Sequence, residues 1–397
     1  MRHVAQGTGH AGLALLALSM GGFAIGTTEF GTMGLVPYFS KGLHIDIESA
    51  GQVISAYALG VVVGAPVLAV AGARMRRRSL LIILMLLFAL GNLLSAFAPS
   101  FGWMLLFRFI AGLPHGAYFG VAALVMAGLV PPHKRTQAIA GIMTGLTVSA
   151  IFGVPLANEI GQLLSWRWAF VLVAVMAAVT AGLVWVLVPR EEEAPRRRNP
   201  LDELAALRNR QVWLTLGIGA IGFGGVFAVY TYIDSTLLQV THAAPAAEPM
   251  VLVLFGIGMT LGNLVSARFA DKALMATIAG VLLWSAASQA LYPLMTGHLW
   301  SMALAAFLVG GGAGLGSPLQ ARLLNVAGKA QTLAAALNHS AMNTANALGP
   351  VLAGLAIGAG WGLPASGWVG CAMSLGGLSI WALAALSQRS GVLAGAE

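Results

Sequence analysis

Four ionisable side chains stand well inside long apolar runs of this sequence: Glu29, Arg108, His115 and His339. A charge at the centre of a membrane helix costs roughly 2.5–3.5 kcal/mol on insertion scales, so such groups face a cavity or a partner. Glu29 can take up and release a proton, whereas Arg108 is a fixed cation. At 1.5 Å per residue, Glu29 lies about 27 Å from the inner start of its run and Arg108 about 10 Å from the outer start of its own. Both then sit in the outer half of the membrane, where they can share one polar cavity. Two readings follow: a buried pair or network that only fixes helix packing, or a proton-carrying acid that the arginine tunes. Asp234 is a second candidate acid, with simple exposure at the outer interface as its alternative. Glu159 reads as an interface residue.

Arg108, Gly112, His115 and Phe119 recur at i, i+4, i+7 and i+11 and share one helical face. A cation, a gap, an imidazole and an aromatic ring in that order suit a cavity wall. His115 is either a neutral, hydrogen-bonded core histidine or a group that handles ligand or protons. His339, Asn343 and Asn346 form a second stripe at i, i+4 and i+7, with Asn338 beside it. At about 13–19 Å from the inner end of their run, His339 and Asn343 are near the midplane. Such amides can hydrogen-bond a ligand or another helix.

The elements that position these groups follow from composition. The chain has 397 residues, of which 58% are hydrophobic and 9% charged, with a mean hydropathy of +0.85. A soluble domain is about 45–50% apolar and about 25% charged. So few charges cannot cover a soluble fold of this size, which excludes a soluble enzyme, a nucleic-acid-binding domain and a disordered chain. A spanning helix needs about 20 apolar residues. Twelve runs qualify: 11–38, 49–71, 79–98, 102–129, 137–162, 166–188, 211–238, 247–270, 273–296, 299–324, 331–359 and 364–387. The first is too long for a signal-peptide core and ends in Glu29, Pro37 and Lys41 rather than a cleavage site, so it reads as a retained span. A single cysteine, Cys371, excludes an internal disulfide or a cysteine metal cluster and reads as an apolar filler.

Threading the basic residues through this layout gives its orientation. Of the 21 Lys and Arg, all but Lys41, Arg108 and Arg167 fall on one side. Lys and Arg favour cytoplasmic loops, so both termini are expected in the cytoplasm. The pI near 10.1 is thereby a signal of topology and not of nucleic acid. Pro189–Arg210 is the longest polar stretch and separates six spans from six. The expected organisation is a half over 1–188, a cytoplasmic linker over 189–210 and a half over 211–397. Within the linker, 201–207 could form a short amphipathic surface helix, or the whole stretch could be a solvated charged linker. Gly64–Arg78 is echoed by Gly262–Lys272, and Gly153-Val154-Pro155 by Gly349-Pro350, as an internal repeat would require. A substrate site between the halves near the midplane would follow from such a repeat.

Gly141, Gly145, Ser149, Gly153 and Ala157 form a ladder of small residues that permits close helix packing. Gly153 with Pro155 permits a bend. The glycines between Gly310 and Gly316 do not make a phosphate loop, because no strand precedes them and no lysine follows. His-Glu-x-x-His, Gly-x-Ser-x-Gly and metal-ligand spacings are absent from the sequence. No enzyme activity, metal or cofactor is expected.

The sequence resembles the major facilitator superfamily, and within it the twelve-span drug:proton antiporter family in its arabinose-efflux-permease-like branch. The resemblance runs from Gly21 to about Leu386. Gly26-Thr27-Thr28-Glu29-Phe30 with Met33-Gly34-Leu35-Val36-Pro37 resembles the branch's opening motif. Arg108-Phe109-Ile110-Ala111-Gly112-Leu113-Pro114-His115-Gly116 resembles its arginine motif. Gly153-Val154-Pro155-Leu156 through Trp166-Arg167 resembles the fifth-span antiporter motif, with Ala157 and Asn158 interrupting the glycines. Asn338 through Gly349 resembles the eleventh-span signature. The loop Gly72-Ala73-Arg74-Met75-Arg76-Arg77-Arg78 lacks the acid usual there, although Asp271-Lys272 is kept after the eighth span.

What the resemblance implies is an all-α integral membrane fold of twelve helices in two pseudo-symmetric six-helix halves. It also implies a proton-gradient-driven exporter of a small organic molecule such as a drug, sugar or metabolite. It would be a monomer in a bacterial cytoplasmic membrane. Glu29, Arg108 and Asp234 are the expected proton-coupling residues. Thr28, Met33, His115, Phe119, Tyr232, His339, Asn343 and Asn346 are the expected substrate-binding positions. Gly145, Gly153, Pro155 and Asp271 are expected to serve packing or conformational change. An importer or uniporter on the same fold, or a sensor without flux, are the alternatives.

Overall fold

The computed structural model describes residues 2–45, 47–190 and 200–394. Among the described residues the regular elements are helical. They are α1 (Arg2–Leu43), α2 (Ile47–Ala71), α3 (Arg77–Ala96), α4 (Phe101–Leu129), α5 (Arg135–Val148), α6 (Val154–Leu163), α7 (Trp166–Leu187), α8 (Arg210–Gly217), α9 (Gly224–Tyr230), α10 (Ile233–Gln239), α11 (Glu248–Met295), α12 (Leu299–Gly310), α13 (Gly316–Val326), α14 (Gln331–Ala356) and α15 (Ala365–Ala394).

Among the described residues, ten helical stretches are long and apolar enough to cross a membrane. Two features separate that count from the expected twelve. Unbroken, the 48 residues of α11 would extend about 72 Å, more than twice a hydrocarbon core of about 30 Å. Its backbone leaves helical geometry at Ala273 (φ −150°, ψ 72°), so it makes two passes divided where the sequence places the boundary. The other feature is α14, whose 26 residues suffice to cross but whose Asn338, His339, Asn343 and Asn346 depress its hydropathy.

Several spans are interrupted helices. One π turn, Ser149–Gly153, joins α5 to α6, and another, Ile218–Gly222, separates α8 from α9. The glycines between α12 and α13 tighten into a 3₁₀ turn over Gly311–Leu315. Side-chain caps start two helices: Ser165 accepts from the Arg167 amide and Asn209 from the Gln211 amide at 2.8 Å. Pro200–Arg208, which covers the expected amphipathic segment, is a 3₁₀ helix, while 191–199 lie outside the described residues. In that segment the buried Glu203 carboxylate accepts from the Leu333 amide at 3.0 Å in the first turn of α14. A carboxylate there satisfies an amide that the helix itself leaves unpaired.

The chain packs as two compact units, 1–206 with 328–340, and 207–327 with 341–397. The first has an interior built on Leu18, Leu81, Phe88, Tyr118 and Phe119, and an outer cluster on Phe39, Trp166 and Phe170. The second is centred on Phe223, Phe255, Leu282 and Leu319. Large apolar side chains also cover the outside, among them Leu59, Ile83, Phe152, Leu294 and Leu355. Exposed Trp103, Trp168, Trp185, Trp213 and Trp300 sit near helix ends, as an interfacial aromatic belt would have them. Helix α4 is far more enclosed than α15, 78% of its apolar stretch being buried against 28%.

Candidate functional site

The first unit carries a continuous polar and aromatic network built around α4. Arg108 is 1% exposed. Its Nη1 donates to Thr28 Oγ1 on α1 at 3.0 Å and to Asn92 Oδ1 on α3 at 3.4 Å. The Thr28 hydroxyl donates to the same Asn92 oxygen at 2.9 Å, and Asn92 Nδ2 donates to the Phe88 carbonyl. The guanidinium lies over the Tyr57 ring of α2, 4.4 Å from its centroid, and 5.3 Å from that of Phe170 on α7. Desolvated cation–π contacts of this kind are worth about 2 kcal/mol or more, which offsets part of the cost of burying the charge. Arg108 Nε has no hydrogen-bond partner.

The network continues toward α14. Tyr57 Oη is 2.9 Å from His115 Nδ1. The His115 ring stands 5.3 Å from Phe119 and 5.2 Å from His339. Phe119 and His339 stack at 4.4 Å with an interplanar angle of 10°. Three helices therefore bring ring systems onto the single face of α4 that carries Arg108, His115 and Phe119.

Glycines make these approaches possible. A Cβ at Gly112 would overlap the Tyr57 carbonyl, and one at Gly60 the Phe109 carbonyl, so α2 and α4 touch backbone to backbone. A Cβ at Gly120 would press on the Ala336 amide, which lets α14 close on α4. The gap left by Gly112 between Arg108 and His115 is thus filled by the α2 backbone that delivers Tyr57.

Glu29 is buried on α1 beside Thr28, at 9% exposure. The Arg108 charge acts on it, but the guanidinium directs its hydrogen bonds to Thr28 and Asn92. The carboxylate is thus near the cation without being clasped by it. Met33 lies one turn further along α1 and is half-buried. Gly145 and Gly153 face α1, where Cβ atoms would meet the Ser19 carbonyl and the Thr27 hydroxyl. Pro155 is the second residue of α6, in its first turn after the π turn. Glu159 is exposed.

The remaining candidates belong to the second unit. Tyr232 is half-buried and its hydroxyl donates to the Pro350 carbonyl at 3.1 Å. Asp234 opens α10, half-buried, within electrostatic reach of Glu248. Asn343 is buried and Asn346 half-buried on α14. Asp271 lies two residues before the break at Ala273. The first unit therefore gathers Thr28, Glu29, Arg108, His115, Phe119 and His339, while Asp234, Tyr232, Asn343 and Asn346 belong to the second.

Two network members, Asn92 and Tyr57, were not among the sequence candidates. Neither is charged at neutral pH, so the cost of membrane insertion does not single them out. An amide in the middle of the third apolar run was the one available signal for Asn92. No group of three or more His, Cys, Asp or Glu able to hold a metal occurs among the described residues.

Comparison with known proteins agrees with this architecture. Residues 18–273 match the sequence model of the Major Facilitator Superfamily. The inner membrane transport protein YdhP of Escherichia coli is 38% identical over 349 residues, covering 88% of this chain and 90% of that protein. A chloramphenicol resistance protein of Streptomyces lividans is 32% identical over 355 residues, covering 87% and 89%. The fucose:proton symporter FucP of E. coli has the same fold, with a TM-score of 0.73 over 94% of this chain and 98% of that one, at 14% identity.

Proposed function

The chain belongs to the Major Facilitator Superfamily, and from that premise we propose that it is a proton-coupled exporter of a small organic molecule. It is a multi-pass membrane transporter and not an enzyme. The finer reading places it in the drug:proton antiporter family, in the arabinose-efflux-permease-like branch. The motifs around Glu29 and Arg108 support that placement, as does the resistance protein among its relatives. Its location would be the cytoplasmic membrane of a bacterium, with both termini inside, as the loop distribution of Lys and Arg supports. The functional halves would be 1–188 and 211–397, joined by 189–210 in a monomer.

The observation that carries the coupling proposal is the unclasped carboxylate of Glu29 beside the buried, neutral-ligated Arg108. An acid locked in a salt bridge cannot cycle its proton cheaply. Here Thr28, Asn92 and the Tyr57 ring hold the guanidinium, which leaves Glu29 available to gain and lose a proton. Arg108 sets the acid's proton affinity through its field. Protonation and substrate binding then alternate as the transporter opens to one side and the other, which couples export to proton entry. Substrate would meet Thr28, Met33, His115, Phe119 and His339 in the first unit; in the second, Tyr232, Asn343 and Asn346 are the substrate-binding candidates. Asp234 is the second proton-carrying candidate.

Inverted membrane vesicles test the direction. An exporter accumulates substrate inside them when a proton gradient is imposed. Accumulation only in right-side-out vesicles would instead favour the importer reading.

A further inference from the structure

We propose that the second unit binds the acyl chain and headgroup of an anionic phospholipid in a groove between the two arms of α11. The groove encloses about 730 Å³ and is bordered by both arms of α11 and by the Phe307–Gly311 segment. Its first wall is Leu261, Val265 and Phe269, which recur every fourth residue and are 47%, 48% and 61% exposed. Trp284 faces it from the second arm, fixed by an Nε1 hydrogen bond to the Leu308 carbonyl at 2.9 Å. Gly280 on that arm has no atom within 4 Å of where a Cβ would stand, so its missing side chain is open groove.

This surface is apolar along its length and cationic at one end, where Lys272 borders it next to the break at Ala273. Arg268, one turn earlier, is exposed, so the formal charge of 268–272 stays positive despite Asp271. From Gly258 to Lys272 the first arm rises about 21 Å. That matches one leaflet with its headgroup region, half of a bilayer about 40–45 Å thick. Lys272 lies at the basic-loop end, and the leaflet on that side carries the anionic lipids. An acyl chain fills the apolar length and a phosphate meets the lysine. A second copy of the chain would cover the exposed wall but has no need of a cation at one end.

Native mass spectrometry of the purified full chain decides this with two lipids of identical chains, phosphatidylglycerol and phosphatidylcholine. Wild-type protein should retain one phosphatidylglycerol in preference to phosphatidylcholine by roughly fivefold, the worth of one basic side chain at an anionic surface. Lys272→Glu should erase the preference. Gly280→Leu, at a position where a Cβ meets nothing within 4 Å, should lower retention of both lipids without changing the unfolding temperature in lipid-free detergent. Equal retention of the two lipids by wild type overturns the proposal, as does a preference that survives both substitutions. A dimer that Gly280→Leu converts to monomer, with lipid retention intact, assigns the groove to a second copy. None of these readouts depends on proton coupling.

Discussion

Arg108 is held by neutral groups, and this decides what its loss would do. Arg108→Ala takes a charged donor from Thr28 and Asn92, which keep their hydrogen bond to each other, and removes two ring contacts. A hydrogen bond to a charged group is worth about 1.5–3 kcal/mol, so a clear drop in unfolding temperature in detergent is expected. Tyr57→Phe is milder. It keeps the ring under the guanidinium and loses the contact with His115, a cost of about 1 kcal/mol. If Tyr57→Phe destabilised as much as Arg108→Ala, the ring would not be what shields the cation. At this scale the sequence disclosed the charged members of the network and missed the neutral ones. Glu29, Arg108, His115 and His339 stood out because charge or imidazole inside an apolar run is costly. Asn92 and Tyr57 carry no such flag. Their role exists only once α2 and α3 are packed against α4. For the same reason the sequence allowed Glu29 and Arg108 to share a cavity but could not say that the guanidinium would turn to Thr28 and Asn92.

The helix α4 is positioned by contacts that admit no side chain. Gly112→Leu would drive a branched chain into the Tyr57 carbonyl and force α2 away, so the folded yield should fall sharply. Gly182→Leu on α7, where nothing lies within 4 Å of a Cβ, is the matched control and should fold normally. Equal yields from both would show that the α2–α4 approach is not tight. The apolar runs were readable because lipid demands about 20 such residues at a stretch, and even the division of α11 fell where Lys272 and Ala273 interrupt the pattern. The π turns were not readable. Gly153 and Pro155 suggested a bend, but an extra residue in a turn depends on how Ser149 and Gly153 sit against α1. The polar stripe of α14 hides that helix from a hydropathy scan while marking it as a candidate wall of the site.

For the whole molecule, the orientation is open to direct measurement. An alkaline phosphatase fusion after Ser100 should be active, and fusions after Gly328 or at the C-terminus inactive. The reverse pattern would invert the topology drawn from the basic loops. The helical membrane fold and the family were accessible from the sequence, since each is a sum over many residues. The coupling chemistry is not such a sum, because it rests on one carboxylate and its surroundings. The central measurement is therefore proton movement by purified protein in liposomes with an imposed pH gradient and an internal pH-sensitive dye, with chloramphenicol as the first compound and a thermal-shift screen of drugs, sugars and nucleosides to supply others. A compound that stabilises the protein should discharge the gradient through the wild type, whereas Glu29→Gln should bind the compound and leave the gradient standing. Full discharge by Glu29→Gln, or transport of a bound compound with no proton movement in the wild type, would contradict the account.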